Sequence, residues 1–140
     1  MLPGNGITQP CFSPVGYLGL SVSYDLRFPE LFRKLTLAGA QILMIPSSFT
    51  AKTGGAHFET LMRTRAIENQ CYVVTANQGG ISDEGVLNFG HSMVVDPWGD
   101  IIAQSSEKSS YFLCELDLEY LDTVRSNMNC LTHIRFDAKL

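Results

Sequence analysis

Apolar runs separated by segments of helical spacing dominate the first half of the chain. Residues 17–24, YLGLSVSY, alternate leucine and valine with small residues over a length that suits a strand. Residues 40–46, AQILMIP, and residues 71–78, CYVVTANQ, are apolar almost throughout. Strands of this kind, buried on both faces, are typical of parallel sheets covered by helices. The pattern therefore predicts three strands of a largely parallel sheet.

Two helices are predicted between these strands. Residues 29–39, PELFRKLTLAG, place Pro29 and Glu30 in a first turn and Gly39 at the end, as helix termini favour. Residues 56–70, AHFETLMRTRAIENQ, consist of good helix formers with an apolar side. The turn-rich residues 1–16 are predicted to be a loop with a short extended piece, and residues 47–55 and 79–90 to be loops.

The second half of the chain has a different pattern. Residues 91–105 hold two short apolar runs around Asp-Pro-Trp-Gly-Asp, which is turn chemistry and predicts a β-hairpin. Residues 111–118, YFLCELDL, alternate as a strand does, and residues 119–129 suit a short helix. The prediction is a βαβαβ unit followed by a hairpin, a strand, a helix and a tail. Because no helix precedes the first strand, one side of the sheet lacks cover, and another chain or an N-terminal portion would be needed to close it.

Composition narrows the function classes. The 140 residues are 45% hydrophobic and 17% charged, so the chain can bury the core of one domain. The net charge is −4 and no basic run occurs, so neither a nucleic-acid surface nor an anionic membrane surface is expected. The N-terminus lacks a positive n-region, and prolines and glycines interrupt it. Without a targeting signal, cytoplasm is the default compartment and mitochondria are the alternative.

Cysteine and histidine spacing gives no sign of a disulfide frame or a metal site. The cysteines are Cys11, Cys71, Cys114 and Cys130, and none belongs to a C-x-x-C pair, which favours reduced thiols. The histidines are His57, His91 and His133, and no two share the spacing that a metal site on one element needs. We therefore expect no metal.

Several motifs, in order, resemble one family. Residues 19–31, GLSVSYDLRFPEL, are similar to the nucleophile motif of the nitrilase, or carbon-nitrogen hydrolase, superfamily, commonly G-L-x-I-C-Y-D-x-R-F-P-E. The segments RAIENQCYVV, GHSMVVDPWG and the closing H-x-R-x-D agree as well. The resemblance covers nearly the whole chain, and it is greatest to the Nit branch of amidases, with the omega-amidases as the alternative.

This resemblance implies a fold and a chemistry. The fold would be α/β, half of an α-β-β-α nitrilase-type sandwich, with residues 1–140 as the C-terminal portion of a domain that pairs into homodimers through a helical face. The chemistry would be hydrolysis of a small carboxamide of the deaminated-glutathione type, without metal or organic cofactor. In the family a cysteine thiolate attacks, a Glu moves the proton, and a Lys helps to hold the oxyanion.

The nucleophile position differs from the family motif. Ser23 occupies the cysteine's place, and the backbone N–H of Tyr24 is the implied oxyanion donor. The family's Glu and Lys lie on segments that precede the motif, and no residue of this chain can be assigned their roles. A serine hydroxyl is a far weaker acid than a thiol of pKa about 8.5, so it needs an adjacent base. We therefore expect this chain to be inactive or catalytically impaired.

Neighbouring residues are predicted to support the site. Asp25, Arg27 and Glu30 are expected to orient the turn after Ser23, the alternative being an ordinary ion-paired helix start. The loop after the second predicted strand lies where a pocket wall forms in parallel sheets, so it supplies two candidate substrate contacts. These are Ser47 and Phe49.

Two alternatives belong to other functional classes. The chain could be a non-catalytic homologue that acts as a binding or dimer-partner subunit. A serine esterase would need a Ser-His-Asp triad, and the sequence around Ser23 is not G-x-S-x-G. We expect no such triad.

Overall fold

The structure is a computed structural model that describes residues 4–106 and 111–135. A hairpin comes first, helices and strands then alternate, and further hairpins and one more helix follow. The strands are β1 (Cys11–Ser13), β2 (Gly16–Leu20), β3 (Ile42–Met44), β4 (Tyr72–Thr75), β5 (Gly79–Ile81), β6 (Leu87–Phe89), β7 (Met93–Val95) and β8 (Ile101–Gln104). The helices are a 3-10 helix (Ser23–Arg27), α1 (Pro29–Leu37), α2 (Ala51–Thr53), a π-helical turn (Gly54–Phe58), α3 (Glu59–Asn69) and α4 (Leu118–Asn127).

Six strands form one sheet in the order β1-β2-β3-β4-β7-β8. Its centre is parallel, since β2 pairs with β3 and β3 pairs with β4 in that sense. Both flanks are antiparallel, through the β1–β2 hairpin and through β7 and β8. The predicted βαβαβ unit and the hairpin around residues 96–100 are confirmed.

Helices α1 and α3 cover one face of the sheet, which we call the helix-covered face. Its core is closely packed, and most of its members have no exposed surface. The helix ends follow local chemistry: Pro29 and Glu30 lie in the first turn of α1, and Gly39 follows its end with a φ of +106°. The core comprises Leu26, Phe32, Leu35, Ala40, Leu43, Ile45, Phe49, Phe58, Met62, Ala66, Cys71, Val73, Met93 and Val95.

The opposite face, which we call the open face, is only partly covered. Ile42, Tyr72 and Val94 are buried there against Leu121 of α4. Residues 111–117 cross the same face and leave an apolar groove of about 680 Å³ against it. The sequence expectation that one side of the sheet lacks cover agrees with this groove.

Two sequence predictions were wrong. Residues 79–90 are not an open loop, because β5 and β6 pair as a hairpin whose turn contains Gly85 with a φ of +77°. Residues 111–118 do not form a strand. Their alternation is real, since Leu113 is 94% exposed while Phe112 and Cys114 pack on the open face, but they pair with no strand of the sheet. The alternating pattern of residues 111–118 therefore predicted which side chains are buried, but it did not show whether the backbone pairs with another strand.

The second predicted helix begins earlier than expected. Helical structure starts at α2, inside the predicted loop 47–55, where the side chain of Thr50 accepts a hydrogen bond from the Thr53 N–H. The expected helix over 119–129 corresponds to α4, which begins at Leu118 because Asp117 caps it through the N–H groups of Glu119 and Tyr120. The end of the predicted H-x-R-x-D motif, at Asp137, lies outside the described residues.

Candidate functional site

Ser23 lies at the carboxyl end of the central strands, where the extended chain passes into the 3-10 helix. Ser23 has a φ of +42°, in the left-handed region that residues other than glycine avoid. Such a conformation costs on the order of 1–3 kcal/mol and persists only where its surroundings fix it. Its N–H donates to the Pro46 carbonyl at 2.9 Å, which extends the β2–β3 ladder to this point. The residue is thereby held at the end of a strand as the first residue of the 3-10 helix.

Asp25 locks this turn. Its carboxylate accepts a hydrogen bond from the Val22 N–H at 2.8 Å, and its own N–H donates to the Val22 carbonyl at 2.9 Å. The orienting role of Asp25 in the active site stays a prediction, and these two hydrogen bonds are its support. Glu30 lies exposed in the first turn of α1, and its role in the turn stays a prediction.

The backbone N–H of Tyr24 is the implied oxyanion donor next to Ser23. Among residues 4–106 and 111–135, no backbone or side-chain acceptor takes a hydrogen bond from it. The ring of Tyr24 is 65% exposed and makes an edge contact with Phe28. A backbone donor fixed next to the nucleophile position is the arrangement that an oxyanion hole requires.

Arg65 of α3 supports the same turn from behind. Its guanidinium donates to the Leu26 carbonyl from Nε at 3.1 Å and from Nη2 at 2.7 Å. It also pairs with Glu68 at 2.9 Å and stacks over the Phe32 ring. The side chain is only 5% exposed, so the turn is tied to the core by a buried charge.

Ser47 lies next to this turn on the neighbouring strand end. An isolated parallel β-bridge joins Ser47 to Asn77. The parallel pairing of β3 with β4 therefore resumes beyond the ends of both strands, next to the site. Its hydroxyl donates to the Ile45 carbonyl at 3.0 Å, and its N–H donates to Ala76 at 2.9 Å. A contact between Ser47 and substrate stays a prediction.

Phe49 occupies a different position from the one its prediction suggests. The side chain is 6% exposed and packs on Phe58, with ring centroids 5.0 Å apart, as a member of the core. The guanidinium of Arg27 lies over its outer face, 5.3 Å from the centroid. In this structure Phe49 supports the site through Arg27, and direct contact with substrate stays a prediction.

Sequence reasoning missed a polar group beside these residues. The Ser48 hydroxyl donates to the Asn88 side-chain oxygen at 2.9 Å, and the Phe49 N–H donates to the Asn77 side chain at 3.0 Å. Asn77 also donates to the Gly90 carbonyl and so joins the β4 end to the β5–β6 hairpin. The signal was present in the sequence, because the apolar run CYVV changes to the polar TANQ where the parallel strand ends.

Within the described residues, no general base forms a hydrogen bond with the Ser23 hydroxyl. Its hydroxyl has no hydrogen-bond partner there, and His91 instead directs Nδ1 to the Phe89 carbonyl at 2.6 Å and stacks on the Phe89 ring. His57 lies beside Arg27. Over the same residues no group of three or more His, Cys, Asp and Glu could hold a metal ion, and no helix is long and apolar enough to cross a membrane.

Comparison with known proteins gives the family. The model of the carbon-nitrogen hydrolase family matches residues 1–126. The nitrilase and fragile histidine triad fusion protein NitFhit of Caenorhabditis elegans is 51% identical over 96% of this chain and 30% of that protein. Deaminated glutathione amidase of Bos taurus is 48% identical over 97% of this chain and 42% of that protein. The chain therefore spans less than half the length of these curated relatives.

Solved structures agree with the sequence comparison. The crystal structure of C. elegans NitFhit superposes with a TM-score of 0.92, over 94% of this chain and 32% of that one. Nit3 of Saccharomyces cerevisiae, a member of branch 10 of the nitrilase superfamily, gives 0.86 at 31% identity over 100% of this chain and 50% of that one. The predicted α/β fold, half of the nitrilase-type sandwich, is confirmed. The matching motifs, the family model and the superposed structures together show that this chain belongs to the carbon-nitrogen hydrolase family, close to its Nit members.

Proposed function

We propose that this chain carries the nucleophile turn of an amidase-type carbon-nitrogen hydrolase acting on small carboxamides of the deaminated-glutathione type. The observation that carries the proposal is the left-handed backbone at Ser23, held by Pro46 and Asp25 next to the unpaired Tyr24 N–H. A substrate carbonyl carbon would approach position 23, and its oxygen would accept from the Tyr24 N–H. The name of one relative, deaminated glutathione amidase, supports the substrate class.

Residues 1–140 would then form the C-terminal portion of the hydrolase domain. The proposal takes support from the open face, where an apolar groove remains beside Met44 and Val74. The second sheet of the sandwich would cover this face and bring the Glu and Lys of the family to the Ser23 turn.

As it stands, the chain would be catalytically impaired. In the structure of the E41Q mutant of an amidase from Nesterenkonia, acrylamide is added at the active-site cysteine, whereas this chain has Ser23 in the matching motif. General-base help is worth roughly a hundredfold to ten-thousandfold in rate, and Ser23 has no base among the described residues. No metal or organic cofactor enters this mechanism.

An ammonia-release assay tests this proposal. The segment of deaminated glutathione amidase that precedes the match would be joined ahead of this chain, with Ser23 retained, changed to Cys or changed to Ala. A panel of small primary carboxamides would be assayed. We expect Ser23→Cys to release ammonia at least about a hundredfold faster than the Ser23 form, with Ser23→Ala indistinguishable from the latter. A folded Ser23→Cys protein that releases no ammonia from any amide would contradict the proposal.

A non-catalytic partner subunit is the second candidate. The observation that favours it is the isolated Ser23 hydroxyl in an otherwise well-formed turn. A homodimer through the helical face suits either candidate, and Leu37 of α1 and Ile67 of α3 are 53% and 51% exposed there. Sedimentation of wild type and Ile67→Glu tests the dimer: the mass of the variant should fall to that of one chain, and an unchanged mass would contradict this face. Location in the cytoplasm stays a prediction.

A further inference from the structure

The side chain of Asn77 continues the parallel pairing of β3 with β4 where the backbone ladder ends. Beyond both strands, the Gln78 N–H donates to the Ser47 carbonyl at 2.9 Å, as a parallel ladder requires. In a regular ladder the Phe49 N–H would next donate to the Gln78 carbonyl. That carbonyl instead accepts from the Gly90 N–H at 3.0 Å, and the Phe49 N–H donates to Oδ1 of Asn77 at 3.0 Å.

Asn77 is itself held in one orientation. It is 6% exposed, its Nδ2 donates to the Gly90 carbonyl, and its N–H donates to the Ser92 hydroxyl at 2.9 Å. A buried amide whose oxygen and nitrogen are both hydrogen-bonded cannot turn without losing those bonds. Asn77 therefore fixes the backbone of Phe49 relative to the end of the β5–β6 hairpin.

The backbone segment that Asn77 fixes also holds the turn at Ser23. The Pro46 carbonyl accepts the hydrogen bond from the Ser23 N–H at 2.9 Å. Proline has no N–H, so Pro46 cannot itself donate to a neighbouring strand, and the residues on either side of it must hold its carbonyl in place. On one side the Ile45 N–H donates to a carbonyl of β4 at 2.9 Å, and on the other side the bonds of Ser47 and Phe49 do so.

We propose that Asn77 is a positioning residue for the nucleophile turn. By fixing the backbone of Phe49, it keeps the Pro46 carbonyl where the Ser23 N–H reaches it. The inference rests on the proposed function, because it takes position 23 as the point of attack. The amide of Asn77 is bonded to Phe49 and Gly90, so Asn77 acts through the main chain. A displacement of about 1 Å at a reacting group can cost roughly a hundredfold in rate.

Amide hydrogen exchange of the 140-residue chain, followed by NMR, tests this link. Asn77→Ala removes the acceptor of the Phe49 N–H, so exchange at Phe49 and at Ser23 should quicken by roughly threefold to tenfold. The rates are taken relative to the Tyr72 N–H, which donates to the Gln41 carbonyl at the amino end of β4. Loss of global stability would quicken all three amides alike, whereas loss of positioning acts at the carboxyl end of the strands.

Asn77→Asp separates the two bonds of the amide. The aspartate keeps an acceptor for the Phe49 N–H and loses the donor to the Gly90 carbonyl. Exchange at Ser23 should therefore lie closer to the wild-type rate in Asn77→Asp than in Asn77→Ala. Circular dichroism confirms that each variant is folded, and Asn77→Asp keeps the test valid if Asn77→Ala unfolds.

Gln70→Ala is the matched control at the other end of β4. Gln70 is a second buried side-chain amide, 2% exposed, and its Nε2 donates to the Met128 carbonyl at 2.7 Å. Its loss should destabilise the amino end of β4 and quicken exchange at Tyr72 at least as much as at Ser23. The ratio of the two rates should therefore rise in Asn77→Ala and not in Gln70→Ala.

Activity provides the second readout. In the joined Ser23→Cys protein, Asn77→Ala should lower kcat for a small carboxamide at least about tenfold and leave KM within about threefold. Gln70→Ala should leave kcat unchanged. A role confined to stability would reduce the folded fraction and would not separate kcat from KM in the folded protein.

The exchange measurement decides the proposal on its own. Asn77 is not a positioning residue if Asn77→Ala leaves Ser23 exchange unchanged, or quickens Ser23 and Tyr72 by the same factor. An unchanged kcat for Asn77→Ala in an active joined protein would overturn the proposal as well. If the joined Ser23→Cys protein with Asn77 intact releases no ammonia, the proposed function fails, and the exchange rates still show whether Asn77 holds the turn.

Discussion

The two faces of the six-stranded sheet contrast in how completely this chain covers them. On the helix-covered face, Phe32, Leu35 and Leu43 have no exposed surface. On the open face, Leu18, Met44 and Val74 are only partly buried, and the groove beneath residues 111–117 measures about 680 Å³. The chain therefore completes one core and leaves the other unfinished, as expected for half of a two-sheet sandwich.

The difference matters for the Ser23 turn, which lies at the edge of both faces. The helix-covered face supplies its support, because Arg65 donates to the Leu26 carbonyl from within that core. On the open face, the side chains of Leu20 and Val22, which precede the turn, are exposed. The turn is therefore supported by a closely packed core on the helix-covered face, while the open face beside it is only partly covered.

The largest contrast should come from equal truncations on the two faces. Leu43→Ala removes a fully buried side chain from the helix-covered face and should lower the free energy of unfolding by about 2–5 kcal/mol. Leu18→Ala makes the same change on the open face, where the side chain already meets solvent, and should cost roughly 1 kcal/mol. Urea titration of both variants measures the difference, and equal costs would mean that the faces are equally packed.

Arg65→Ala should have the next largest effect. It removes both donors to the Leu26 carbonyl and leaves Glu68 without its ion-pair partner. We expect a loss of roughly 1.5–3 kcal/mol in the free energy of unfolding, the range for hydrogen bonds to a charged group. Arg63→Ala is the control on the same helix, since its ion pair with Glu59 is about half exposed. A smaller loss for Arg65→Ala than for Arg63→Ala would contradict the buried role of Arg65.

Arg125→Ala tests how α4 is held to the sheet. Arg125 donates from Nε to the Gln70 carbonyl at 3.0 Å and from Nη2 to the Ala40 carbonyl at 3.1 Å. The side chain is half-buried, so we expect a cost of about 1 kcal/mol. Arg125→Lys should recover part of it, and a stability equal to wild type would show that α4 is held by Leu121 and Val124 alone.

The same variant should expose Cys71 to alkylation. Burial raises the pKa of the Cys71 thiol, while the Thr36 hydroxyl and the Arg125 charge act in the opposite direction. A raised pKa means less thiolate at pH 8, so iodoacetamide should modify Cys71 later than the exposed Cys11 and Cys130, and faster as pH rises. Arg125→Ala removes a charge that lowers the thiol pKa, so a faster reaction in this variant would report opened access to Cys71. Equal rates for all cysteines in the wild-type chain would contradict the burial of Cys71.

The smallest effect is expected at the outer side of residues 111–117. Leu113 is 94% exposed, so Leu113→Ala should change the free energy of unfolding by less than about 0.5 kcal/mol. Phe112→Ala, on the inner side of the same segment, is the matched test and should cost more, because that ring packs on the open face. A larger cost at Leu113 would mean that another layer covers this side in solution.

The sequence predicted the strands and helices that are determined by residues within or next to them. Unbroken apolar runs predicted the central strands, and Pro29, Glu30 and Gly39 predicted α1. The pattern around Ser23 placed this residue correctly just after a strand, and its role as the nucleophile position stays a prediction. These features are local, so a single sequence contains them.

Features that depend on long-range packing were not predicted. The left-handed φ of Ser23 was not predicted, and its N–H bonds to the Pro46 carbonyl, which lies beyond the end of β3. The packing of the Phe49 ring on Phe58, from a later helical turn, was not predicted, and its contact with substrate stays a prediction. Residues 111–118 alternate as a strand does, but pairing needs a partner edge, and the described sheet ends at β8.

Binding of the dye 8-anilinonaphthalene-1-sulfonate tests the contrast between the faces most directly, because the dye fluoresces on exposed apolar surface. The folded chain is measured alone and after joining to the preceding segment of deaminated glutathione amidase. We predict strong fluorescence from the chain alone, reduced by Met44→Asp within the groove, and little from the joined protein. If the folded chain binds no dye, the open face is not exposed as described. If the joined protein binds as much dye as the chain alone, the second sheet does not cover that face.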